Sequence, residues 1–88
     1  MVSIQSKTGS NNYETVIISS SGHTLISDEP ETLGGQNKGM SPDELVIAAL
    51  ASCTSATLKM YASRKTWDLQ EVKTNIQFIH GEKPSELP

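Results

Sequence analysis

"GMSPDELVIAALASCTSATLKMYASRK" (39–65) decides how this chain is to be read. Ser41 suits the N-cap of a helix, Pro42 its first position, and Glu44, three residues after the serine, completes a capping box. Asp43 and Glu44 place negative charge at the positive end of the helix dipole, and Arg64 and Lys65 place positive charge at the other end. A helix from Pro42 to Lys65 would be about 36 Å long. Ser52, Ser55, Lys59 and Ser63 fall on one narrow stripe, and nearly everything else from Leu45 to Ala62 is apolar. A helix apolar around most of its circumference has to be covered on more than one side. One four-stranded sheet cannot do that, so the pattern predicts a second subunit or further chain.

Outward on the N-terminal side, "DEPETLGGQNKGM" (28–40) has Pro30, three glycines and no periodicity, and reads as a connecting loop. Gly34 and Gly39 have the spacing of a phosphate-binding loop, but Met40 and Ser41 stand where the lysine and hydroxyl should follow, which argues against nucleotide binding. Before the loop, residues 2–6, 13–20 and 23–27 are short β-branched runs separated by "KTGSNN" and "SG". They predict an antiparallel meander whose central strand, apolar on both parities, is the best covered. On the C-terminal side Trp67 and Leu69 read as hydrophobic anchors for the helix exit. "EVKTNIQFIH" (71–80) then alternates as a half-buried strand should. The polar "GEKPSELP" (81–88) ends without an element to tie it down, so the chain reads as interrupted. The fold class expected is α+β: an N-terminal antiparallel β-meander, a long central apolar helix and a further strand, in one domain over residues 1–88.

Composition narrows the function. A chain of 88 residues, 35% hydrophobic and 19% charged, buries only a small core. A net charge of -3 with scattered lysines gives no field for nucleic acid. No signal-peptide pattern opens the chain, and no apolar run is expected to span a bilayer, so neither nucleic acid nor membrane is expected as a partner. One cysteine builds no disulfide framework and suits a reducing compartment, which points to the cytoplasm. His23, His80 and Cys53 lack close ligand spacing, so no metal or other cofactor is expected.

That cysteine, Cys53, lies on the helical wheel among Val46, Ala49, Thr57 and Met60, where free cysteine commonly serves as a small hydrophobe. A reactive thiol needs a helix N-terminus or a cation to lower its pKa. Cys53 is twelve residues from Ser41, and its neighbours Ala49, Leu50, Ala56 and Thr57 are uncharged. An activating cation would come from another segment or subunit, with Lys7, His23, Lys38 and His80 as candidates. Asp43 points to nearly the same side, but about 15 Å away along the axis.

"DEP" (28–30) with "GGQNKGMSPDELVIAALASCTSATLKMYASRKTWDL" (34–69) resembles the OsmC/Ohr family of thiol-dependent peroxidases, particularly its OsmC-like branch. The resemblance implies an intertwined homodimer in which long central helices from two subunits pack together. It also implies that Cys53 attacks a hydroperoxide as a thiolate and is restored through a second cysteine and a dithiol reductant; the aliphatic lining favours organic hydroperoxides. Asp43 stands where peroxidase members carry a glutamate that orients an arginine, with Glu44 as the adjacent alternative. No arginine precedes Arg64, and Lys7 is a loose substitute for the family's N-terminal arginine. The family's resolving cysteine belongs to a C-terminal portion that the 88 residues do not include. Thr66 stands where relatives often have glycine. The other reading is a non-catalytic homodimeric scaffold or small-ligand binder with Cys53 as packing.

Overall fold

The structure, a computed structural model, describes residues 2–79. His80 and the segment 81–88 lie outside the described residues. The chain divides into two compact units, Met1–Val46 and Ile47–Pro88.

In the first unit β1 (Ile4–Thr8), β2 (Thr15–Ser19) and β3 (Thr24–Ser27) form a three-stranded antiparallel sheet in the order β1-β2-β3. The meander is as expected, with β1 displaced toward the turn. Lys7 and Thr8 belong to the ladder rather than to the turn, paired with Val16 and Thr15. The hydroxyls of Thr8 and Thr15 lie 2.6 Å apart across it, a cross-strand pair of the kind that fixes register. Val2 and Ser3 precede the strand, although the Ser20 N–H still donates to the Ser3 carbonyl at 2.9 Å.

The register sorts the side chains. Ile17 is opposite Ser6 and Leu25, while Val16 is opposite Lys7 and Ile26. Thr15, Ile17 and Ser19 are half-buried, whereas Val16 and Ile18 on the other face are exposed. The central strand is thus better covered than β1, which is exposed throughout, yet only on one face.

Between β3 and the helix, residues 28–41 form a loop with one 3-10 turn, Glu31–Leu33, ending at Gly34 in the left-handed region. The loop folds back so that Ser27 bridges Met40 and the Asp28 N–H donates to the Met40 carbonyl at 3.1 Å. Gly39 is required there, because a Cβ on it would lie 2.0 Å from the Ile26 carbonyl oxygen.

Helix α1 (Pro42–Arg64) follows where the capping signals place it. It ends in a Schellman motif: the Thr66 N–H donates to the Ser63 carbonyl at 3.1 Å and the Trp67 N–H to the Ala62 carbonyl at 2.9 Å. Thr66 takes the left-handed conformation, φ 56°, usually reserved for glycine. Trp67 packs edge-to-face on Tyr61, centroids 5.6 Å apart, and Ala62 is the buried hydrophobic residue among those described.

Two expectations are corrected. Residues 71–79 form no strand. Their alternation fits a sheet face, but a strand exists only through a ladder, and no described strand pairs with them. Second, α1 is long and apolar enough, by length and composition, to cross a membrane. Its serines, threonines and single Lys59 do not lower its hydropathy enough to exclude this. A core helix shared between soluble chains has the same length and composition.

Candidate functional site

The candidate site starts at the N-terminus of α1. The Ser41 N–H donates to Glu44 Oε1 at 2.9 Å, and the Glu44 N–H donates to Ser41 Oγ at 3.2 Å. This is the reciprocal capping box expected from the sequence, and the Leu45 N–H adds the first helical bond to the Ser41 carbonyl at 3.0 Å. The Glu44 carboxylate is therefore engaged with its own helix start. Asp43, one residue earlier, is exposed.

Behind this cap sits a group whose role the residue pattern did not reveal. Asp28 is 2% exposed and is the largest fully buried side chain among the described residues. Its Oδ1 accepts the Glu29 N–H at 2.8 Å; its Oδ2 accepts the N–H groups of Gln36 at 3.2 Å and Lys38 at 3.3 Å. A buried carboxylate is tolerable only when it is satisfied in this way. Gly35 makes the approach possible, since a Cβ on it would lie 2.0 Å from the Glu29 carbonyl oxygen and 2.8 Å from Asp28 Oδ1. The sequence signal was an aspartate opening a loop with three glycines, but its partners lie eight and ten residues away in an aperiodic stretch.

Cys53 lies mid-helix and is exposed in the single chain. It is not enclosed by hydrocarbon of its own subunit. Ten helical residues separate it from Asp43, about 15 Å along one straight axis, so α1 by itself does not bring the two together.

Among the basic groups of the second unit, Lys59 Nζ donates to the Leu69 carbonyl. Lys65 Nζ lies 5.6 Å from the centre of the Tyr61 ring, and Lys73 is 3.9 Å from Glu71. Arg64 is eleven residues from Cys53, about 16 Å of helix. The cation candidates named from sequence lie in the first unit or outside the description. Lys7 is on β1 and borders an open groove with Ser10, Asn11 and Glu14. His23 Nδ1 lies 3.1 Å from Ser21 Oγ in the β2–β3 turn. Lys38 contributes its backbone N–H to Asp28. His80 is outside the described residues. No cluster of three or more histidine, cysteine, aspartate or glutamate side chains suited to a metal ion occurs among the described residues.

An α+β chain whose glycine loop leads through a Ser-Pro-acid-acid cap into an apolar helix bearing a mid-helix cysteine is the class these elements define. The chain belongs to the OsmC-like protein family, whose pattern it matches over residues 35–86, more than half its length. No curated protein and no solved structure matches it.

Proposed function

We propose that this OsmC-like chain is a cytoplasmic thiol-dependent peroxidase that reduces organic hydroperoxides through Cys53 and acts as a homodimer built on α1. The observation that carries the reading is an exposed cysteine on the helix that the family match spans, ten residues after Asp43. In the reaction the Cys53 thiolate attacks the hydroperoxide O–O bond. One oxygen stays on sulfur as a sulfenic acid, and the other leaves as alkoxide and takes a proton to become an alcohol. A thiol of a dithiol reductant then displaces water from the sulfenic acid. The reductant's second thiol releases Cys53 and closes the reductant's own disulfide.

Aliphatic side chains around Cys53, Val46, Ala49, Leu50 and Met60, suit an organic hydroperoxide better than a strongly hydrated one. Asp43, with Glu44 as the adjacent alternative, is the carboxylate assigned to orient an activating cation, as the family resemblance implies. That cation comes from outside α1, since a helix dipole fades within its first turn. Homodimerisation is supported by the exposure of Val46, Leu50 and Met60, each more than half accessible in the single chain.

Reduced protein treated with cumene hydroperoxide should lose its free thiol rapidly and saturably, and Cys53→Ser should consume no peroxide. Loss no faster than that of a model thiol would remove the enzyme reading. The second reading, a homodimeric scaffold or small-ligand binder, is favoured by one observation: the only arginine among the 88 residues is Arg64. Dimer formation without thiol reactivity would select it.

A further inference from the structure

We propose that Asp28 is the positioning residue for the start of α1: its carboxylate occupies a nest of loop N–H groups and thereby fixes the cap that presents Asp43. The nest consists of the N–H groups of Glu29, Gln36 and Lys38, all turned onto one carboxylate that is 2% exposed. Converging backbone amides form an anion-binding concavity, here filled by the chain's own anion. The Asp28 backbone N–H also donates to the Met40 carbonyl at 3.1 Å. Met40 adjoins Ser41, whose hydroxyl and N–H make both bonds of the capping box. The two ends of the loop are thus pinned at one residue, next to the cap that starts α1.

An open polar hollow of about 170 Å³, bordered by Asn11, Asn12, Gly34, Gly35 and Gln36, lies directly against Asp28. It gives a small anion access to the nest once the side chain is removed. Fixing the helix start does not depend on the chemistry of Cys53; the consequence for Asp43 rests on the peroxidase reading.

Asp28→Asn turns an NH2 group toward N–H donors and so removes the anion at nearly constant volume. Hydrogen exchange should then quicken at least about tenfold at Gln36, Lys38, Glu44 and Leu45, with Ile17 and Ile18 of the sheet changed by less than about twofold. In Asp28→Ala, formate should restore protection at Glu44 and Leu45, and chloride at the same ionic strength should not. The proposal is overturned if Glu44 and Leu45 keep their protection in Asp28→Asn. It is overturned equally if all amides lose protection together, or if formate restores nothing. In the same variants the maximal rate of Cys53 oxidation by cumene hydroperoxide should fall about tenfold, with the half-saturating concentration little changed, and recover with formate. A wild-type thiol no faster than a model thiol would fail the peroxidase reading alone, because the exchange measurements decide the role of Asp28 independently.

Discussion

The corner around Asp28 and the body of α1 solve the same problem in opposite ways. At the corner, a buried charge has its acceptors filled by loop N–H groups within ten residues, and no buried side-chain polar atom among the described residues lacks a partner. Along α1 the backbone is satisfied internally, but the side chains are not: Leu50 is 54% exposed, Leu58 46% and Met60 63%. Polar groups can be satisfied by a short piece of chain folding on itself. An apolar cylinder cannot, since burying all its sides takes a second body. The loop is therefore self-sufficient and the helix is not.

The sharpest way to break this contrast is to place a charge on the helix. With a second copy as the covering body, Leu50→Glu buries an unpaired carboxylate in the seam. The dimer dissociation constant should rise by about a hundredfold or more, about 3 kcal/mol. Sedimentation over a concentration series measures it. An unchanged monomer-like sedimentation of the wild type would show that no second copy covers α1. Protein recovered only with detergent or lipid would give that place to a bilayer, for which the length and composition of α1 also suffice.

A smaller effect probes the self-sufficient side. Ser41→Ala removes the hydroxyl that accepts the Glu44 N–H and should cost about 1 kcal/mol in urea unfolding at fixed protein concentration. Glu44→Gln keeps an acceptor for the Ser41 N–H and loses only charge near the positive end of the dipole, so it should cost about 0.5 kcal/mol. A Glu44→Gln loss as large as that of Ser41→Ala would mean that the glutamate's charge outweighs the bond geometry.

What could be read in the residues follows the same division. The cap was legible because Ser41 and Glu44 lie three apart and a helix makes that spacing a contact. The meander is legible because its strands are close in sequence, but composition alone puts Lys7 and Thr8 in the turn and β1 two residues early, whereas cross-strand pairing keeps both in the ladder. The strand expected over 71–80 shows the limit. Val72, Thr74, Ile76 and Phe78 record that a face alternates, but not which strand would pair with it. At the candidate site, residue types were legible and partners were not. Neither the nest around Asp28 nor the origin of a cation for Cys53 has a fixed sequence offset.

The smallest effect tests the helix exit, where local backbone chemistry and the apolar surface meet. Thr66 holds the left-handed position of the Schellman motif at φ 56°, which strains a β-branched residue by about 1–2 kcal/mol. Its hydroxyl donates to the Lys65 carbonyl at 2.5 Å, recovering part of that strain. Thr66→Gly relieves the rest but frees the unfolded backbone, which costs roughly 0.5–1 kcal/mol. The expected balance is a gain of about 0.5 kcal/mol, read as a higher urea midpoint with an unchanged slope. A loss instead would show that the threonine is held by more than its turn, through the neighbouring Trp67 and the Tyr61 ring it packs against. The exit of α1 would then belong with the apolar surface that needs a second body, rather than with the loop that does not.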